Sequence, residues 1–174
     1  MKMQFTYNIF LIGFMGSGKS TVADYLCEKF DMDVVEMDQV IAERERMSIS
    51  DIFEKHGELY FRDLETKLLV ELQEKTNTVV SCGGGVAMRE CNVTEMKKNG
   101  KVVLLTAKPE TILERVENNH DRPLLENNKT VACIAELMEK RREKYEAAAD
   151  MIIETDGKSA QKICEEMIQR LGEQ

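Results

Sequence analysis

Apolar residues fall along this chain in short, nearly unbroken runs, separated by longer stretches with helical spacing. The runs Ile9–Ile12, Val34–Met37, Thr78–Ser81, Val102–Thr106 and Met151–Glu154 have strand length and are rich in β-branched residues. They are nearly continuous rather than alternating, the pattern of parallel strands covered on both faces. Helices are predicted at about 19–30, 38–46, 50–56, 60–75, 89–98, 109–118, 131–147 and 158–171. In the first of these, Val22, Leu26 and Phe30 recur every four residues, and Ala23 and Cys27 follow the same step. One face of that helix is therefore apolar. Strand and helix alternate throughout, which predicts an α/β fold with a doubly wound parallel sheet. No repeat, low-complexity tract or linker interrupts the 174 residues, so 1–174 reads as a single domain with room for a full core.

One stretch departs from the pattern. Glu117-Asn118-Asn119-His120-Asp121-Arg122-Pro123-Leu124-Leu125-Glu126-Asn127-Asn128-Lys129 is polar, carries four Asn and is broken by a Pro. It reads as a long mobile loop, a lid over about 117–129.

Chemistry enters with the turn after the first strand. Gly13-Phe14-Met15-Gly16-Ser17-Gly18-Lys19-Ser20-Thr21 has the spacing G-x-x-x-x-G-K-S-T of a phosphate loop, with a strand before it and a helix after it. Glycines allow backbone N–H groups to converge on one concavity, and the helix adds the positive end of its dipole. Gly16, Ser17, Gly18, Lys19, Ser20 and Thr21 are thus candidate ATP-binding residues. Lys19 is expected on the β- and γ-phosphates and the Ser20 hydroxyl on Mg²⁺.

A second carboxylate near Mg²⁺ is expected at the end of a neighbouring strand. The strands ending at Ser81 and Thr106 offer none, but Glu36-Met37-Asp38 offers two. Alternation along the strand would put Glu36 and Asp38 on one side, near the phosphates. Asp38 has a plainer alternative as the cap of the following helix. No Asn-Lys-x-Asp sequence for guanine selection is present. Three further features point to a polar, anionic acceptor. They are Arg62 in Phe61-Arg62-Asp63, the glycines of Ser81-Cys82-Gly83-Gly84-Gly85, and Arg141 in Arg141-Arg142-Glu143-Lys144-Tyr145. Each has a plain alternative: a solvated surface charge, a simple strand-to-helix turn, or an i,i+4 charge lattice.

Charge and cysteine usage narrow the class. A formal net charge of −8 argues against a general nucleic-acid or membrane-surface binder. The five cysteines form no C-x-x-C pair and are odd in number. They read as reduced thiols of a cytoplasmic protein, mostly small core residues. The apolar run Tyr7–Met15 is too short to span a membrane and leads into the phosphate loop rather than a cleavage site.

Taken together, these pieces resemble the shikimate kinase family over nearly the whole chain. The resemblance rests on the phosphate loop, then Asp38, then Gly57-Glu58 with Phe61-Arg62-Asp63-x-Glu65, Gly83-Gly84-Gly85, Arg122-Pro123-Leu124-Leu125 and Arg141-x-x-x-Tyr145, in that order. It implies a five-stranded parallel sheet of the nucleoside-monophosphate-kinase type with a lid, and transfer of the ATP γ-phosphate to the 3-hydroxyl of shikimate. By position it implies that Asp38 orients the attacking hydroxyl and that Arg62 and Arg141 hold the shikimate carboxylate. Gly84 would add a backbone contact, and Arg122 would close over the phosphates as a catalytic group beside Lys19 and Asp38. Two departures stand out: Glu36 replaces the family's usual Asp near Mg²⁺, and Arg142-Glu143-Lys144 replaces a segment that usually has a Pro. The expected partners are ATP and shikimate, with no nucleic acid or membrane, and the chain is expected to be a monomer. The rival expectations are a related kinase for gluconate or a nucleotide, and a nucleotide-dependent regulatory protein without catalysis.

Overall fold

The computed structural model describes residues 4–117 and 130–172. The lid read at about 117–129, with Arg122, lies outside the described residues apart from Glu117.

Five strands form one parallel sheet: β1 (Asn8–Ile12), β2 (Asp33–Glu36), β3 (Thr78–Ser81), β4 (Gly100–Thr106) and β5 (Met151–Glu154). Their spatial order is β2-β3-β1-β4-β5, with every neighbouring pair parallel. The described helices are α1 (Lys19–Phe30), α2 (Met37–Glu45), α3 (Ile49–His56), α4 (Glu58–Glu71), α5 (Glu90–Lys98), α6 (Pro109–Val116), α7 (Val131–Ala148) and α8 (Ala160–Gly172). This is the doubly wound α/β architecture that the apolar runs predict.

Period-two alternation in β1 divides the core between two faces. Ile9 and Leu11 pack with Val22, Leu26, Cys164 and Met167 of α1 and α8. Phe10 and Ile12 pack with residues of α2 to α7, among them Ile41, Leu69, Met96, Ile112 and Ile134. Both faces of β1 are buried, which is why its five residues are all apolar except Asn8. Asn8 is buried too, and its side chain is fully used. It donates to the Leu72 and Lys75 carbonyls and accepts from the Thr78 amide.

Several boundaries and faces differ from the sequence reading. The helix read at 60–75 starts at Glu58 and tightens into a 3₁₀ turn over Leu72–Glu74. The last helix starts at Ala160 rather than 158. β2 ends at Glu36, so Asp38 lies in the first turn of α2 and not on the strand. It is not the cap either: Glu36 holds that position, without a side-chain cap bond. The cysteines are less internal than expected. Cys82 and Cys164 are buried, Cys133 is intermediate, and Cys27 and Cys91 are exposed, all with free thiols. Cys27 follows the apolar step of α1, but only Lys19, Val22, Ala23 and Leu26 of that helix are buried. One helix against a sheet hides a narrower stripe than two parallel four-residue steps would fill.

Candidate active site

The carboxyl ends of β2, β3 and β1 are neighbours in the sheet, and each delivers one part of the site. The Glu36–Ser81 register puts the end of β2 level with the end of β3, and Leu11 of β1 also pairs with Ser81. Just beyond this row, β1 runs into the phosphate loop, β2 into Glu36 and Asp38, and β3 into Gly83-Gly84-Gly85. A cavity of ≈ 410 Å³ opens there, lined by residues that include Lys19, Ser20, Glu36, Asp38, Gly83 and Gly84.

The phosphate loop is built for an anion. Gly16 and Gly18 have φ of 81° and 100°, a region that L side chains rarely adopt. Gly18 then caps α1, whose first turn holds no acid, so the positive helix end is not neutralised locally. The buried Lys19 donates through Nζ to the carbonyls of Gly13 at 2.8 Å and Phe14 at 3.2 Å. Its ammonium is thereby held across the mouth of the loop. Ser17 is buried within the loop, whereas Ser20 and Thr21 are exposed at the start of α1. Arg115 of α6 braces the loop from the far side. Its Nη1 donates to the Gly16 carbonyl at 3.0 Å and to Thr155 Oγ1 at 3.3 Å.

Beside the loop, Ser20 and Ser81 hydrogen-bond to the Glu36 carboxylate. Burial raises the Glu36 pKa; these two hydrogen bonds work against that, and Asp24 and Asp38 add to the rise. A hydroxyl and a carboxylate facing each other are the donors a hard cation takes. Among the described residues no cluster of three His, Cys, Asp or Glu could hold a metal ion. The donor set therefore fits Mg²⁺ that keeps waters and phosphate oxygens as its remaining ligands, as Mg²⁺ prefers. It does not form an all-protein cage.

The glycine run is the floor on which Asp38, Glu65, Arg62 and Arg141 meet. A Cβ on Gly83 would lie 2.8 Å from Glu65 Oε2 and 2.9 Å from Asp38 Oδ1. On Gly84 it would lie 3.2 Å from Arg141 Nη1, and on Gly85 within 2.6 Å of the Arg62 guanidinium. Three consecutive residues thus touch Asp38, Arg141 and Arg62; a Cβ at Gly83 or Gly85 would push those side chains aside, and at Gly84 it would be tight. The simple-turn reading of this run does not account for that.

Neither arginine is a solvated charge. The Arg62 side chain is 13% exposed, and its Nη1 reaches Glu65 Oε1 at 2.8 Å while Nη2 reaches Glu58 at 3.3 Å. Burial opposes the Arg62 charge, but Glu65 and Glu58 outweigh it and hold its pKa above the ordinary value. Arg141 lies over the Phe14 ring, with Cζ 5.8 Å from its centroid, and its buried Nη1 has no hydrogen-bond partner among the described residues. The surface lattice on α7 belongs to the next residue: Arg142 pairs with Glu139 and Glu146.

Sequence reasoning assigned no role to Glu65, Tyr145 or Arg115. Glu65 is fully buried, and its pKa is pushed up to about 7, chiefly by desolvation, against the pull of Arg62. Its signal was present: it stands three residues after Arg62, where a helix brings side chains together. Tyr145 donates its hydroxyl to the Gly84 carbonyl, one turn beyond Arg141 on α7. Arg115 leaves no local trace, because its partners are 99 and 40 residues away.

Comparison with known proteins identifies the family. The family model of shikimate kinase matches residues 15–172. The chain is 45% identical over 164 residues to a shikimate kinase of Persephonella marina, covering 94% of this chain and 98% of that one. Among solved structures it is similar to shikimate kinase from Acinetobacter baumannii in complex with shikimate, with a TM-score of 0.89 and 33% identity. That match covers 95% of this chain and 92% of the other. A gluconokinase from Sinorhizobium meliloti has a TM-score of 0.61 at 17% identity, covering 98% and 94%, and shares the fold alone. Fold, cavity and sequence relatives lead to one conclusion: the chain belongs to the shikimate kinase family.

Proposed function

We propose that this chain transfers the γ-phosphate of ATP to the 3-hydroxyl of shikimate, giving shikimate 3-phosphate for aromatic amino acid biosynthesis. The observation that carries this is the meeting of Asp38, Arg62 and Arg141 on Gly83–Gly85, beside the phosphate loop. An acceptor with a carboxylate and several hydroxyls suits that set, since forked guanidinium donors hold a carboxylate best. Arg62 and Arg141 bind the carboxylate, the Gly84 backbone adds a contact, and Asp38 orients the attacking hydroxyl and takes its proton. Gly16, Ser17, Gly18, Ser20 and Thr21 surround the phosphates. Lys19 exchanges the Gly13 and Phe14 carbonyls for phosphate oxygens. Ser20 and Glu36 would hold Mg²⁺, which when bound would supply positive charge to the phosphates. Phosphoryl transfer asks the protein mainly for positioning and electrostatic stabilisation, and these residues offer both. Arg122 has its place over the phosphates from the family resemblance.

The chain works as one domain and as a monomer: its two apolar layers share one sheet, and among the described residues the exposed large hydrophobics are few and scattered on α4 and β5. Free thiols agree with a cytoplasmic setting, and no described helix is long and apolar enough to cross a membrane.

The test is ADP release with ATP and Mg²⁺ against a panel of shikimate, gluconate and nucleoside monophosphates, with the product identified by ³¹P NMR. Shikimate-dependent turnover is expected. Preference for gluconate or a nucleotide, or no turnover with any acceptor, would overturn the reading.

A further inference from the structure

The Arg62 guanidinium packs against the bare Cα of Gly85, so the spacing between α4 and the glycine loop sets how the arginine is aimed. These two pieces belong to different elements, and a partly buried polar chain, with Asn92 buried at its centre, ties them. Arg89 Nη1 donates to Thr66 Oγ1 at 3.3 Å, and Thr66 Oγ1 donates to Asn92 Oδ1 at 2.7 Å. Asn92 Nδ2 donates in turn to the Val86 carbonyl at 2.9 Å. The order of donors is fixed from the loop end, because a carbonyl can only accept. Asn92 is wholly buried on α5, Thr66 stands one turn after Arg62 on α4, and Val86 directly follows Gly85. The loop is stiff beyond that point: Val86 N donates to Gly83 O and Met88 N to Gly85 O, both at 3.1 Å.

We propose that Asn92 and Thr66 are positioning residues, a clamp that holds the glycine loop against α4 at the spacing at which Arg62 meets the acceptor carboxylate. The clamp rests on the acceptor assignment above. It acts on one side of the site only. The phosphate loop follows β1 and is braced by Arg115, and among the described residues Arg89, Thr66 and Asn92 make their hydrogen bonds elsewhere. Loosening the clamp therefore changes acceptor binding and leaves nucleotide binding alone.

Thr66→Val removes the hydroxyl at nearly constant volume, and Thr66→Ser keeps it. Thr66→Val should raise the KM for shikimate about five- to tenfold, since a buried acceptor and its amide lose their partner, with the KM for ATP unchanged. Thr66→Ser should restore the wild-type value. Asn92→Ala should show the same split, and the double variant should fall short of the product of the two effects. Hydrogen exchange at the Val86 and Met88 amides should quicken in Thr66→Val without any ligand. Equal rises in both KM values, a lowered Tm with unchanged KM values, or unaltered exchange at these amides would each overturn the clamp. Absence of shikimate turnover in the wild type would instead sink the proposed function, while the exchange measurement would still decide the clamp.

Discussion

Gly85→Ala adds one methyl group where the glycine run lies against Arg62, in the proposed acceptor grip. The backbone accepts it, since φ at Gly85 is −98°, ordinary for any residue. Space does not: the new carbon would lie within 2.6 Å of Nη1, Cζ and Nη2 of Arg62. Non-bonded carbon contacts settle near 3.5–4.0 Å, so the guanidinium must withdraw by roughly 1 Å or more. Arg62 is the end of a flexible side chain, so the fold survives. Its ion pair with Glu65 at 2.8 Å does not survive unchanged, but Glu65 can take up a proton, its pKa being already pushed up to about 7. The main loss falls on the acceptor. A displaced partner of a buried charged contact costs at least about 2 kcal/mol, so shikimate binding should weaken by roughly 30-fold or more. Steady-state kinetics with each substrate varied at saturation of the other would read this, with a thermal melt alongside. Gly172→Ala, where nothing lies within 4 Å of the added carbon, is the matched control. A Gly85→Ala enzyme with a wild-type KM for shikimate, or with equal losses for shikimate and ATP, would remove Arg62 from the acceptor grip.

Three further outcomes are expected. Lys19→Ala should lose turnover by several orders of magnitude while its melt stays close to wild type, because the charge acts most strongly in the transition state; near-normal rates would remove the loop from the ATP site. Arg141→Ala should weaken shikimate by roughly 2–5 kcal/mol and ATP hardly at all, and an analogue without the carboxylate should bind wild type and variant alike. In Glu65, a pKa raised from its usual value to about 7 means that the folded state holds a proton the unfolded chain has released. Its stabilising contribution is therefore full below about pH 4.5 and is lost as pH rises through about 7, so Glu65→Gln should flatten the fall in Tm over that window in calorimetric scans.

The fold was legible because its signals are local. Each strand is an apolar run bounded by polar turns, and the phosphate loop announces its own strand and helix through spacing. Chemistry was legible where a residue type has few other uses, as with Lys19 in its loop or three glycines in a row. Spatial order was not local. No pattern in the sequence says that β3 lies between β1 and β2, yet this puts Gly83–Gly85 between the phosphate loop and Glu36. The expectation that Glu36 and Asp38 share a strand face reached the right cavity by the wrong route, since the chain turns into α2 at Met37. Asn92 left no sequence signal at all. An Asn in an otherwise unremarkable helix becomes informative only when its burial and its partners on α4 and the glycine loop are seen.

The distribution of charge explains why an acidic chain can hold two anionic substrates. Acids crowd the phosphate side: Asp24, Glu36 and Asp38 line one cavity with Lys19, and burial with the other two acids holds the Glu36 pKa above its ordinary value. ATP would bring more negative charge to the same place, and Mg²⁺, which Ser20 and Glu36 would hold, would offset both. The acceptor side is arranged differently. Arg62 and Arg141 lie against neighbouring glycines, and the acid beside them, Glu65, is buried where desolvation favours its neutral form. Because desolvation works against the Glu65 charge, the negative charge set against Arg62 is reduced, and an incoming carboxylate would complete a pairing that the protein alone leaves partial. Each half of the site is thus short of the charge that its own ligand supplies: a metal cation arriving with the nucleotide on one side, a carboxylate on the other. An acceptor lacking the carboxylate would leave Arg141 Nη1 buried without a partner, so on the proposed assignment an acid should bind better than a neutral polyol.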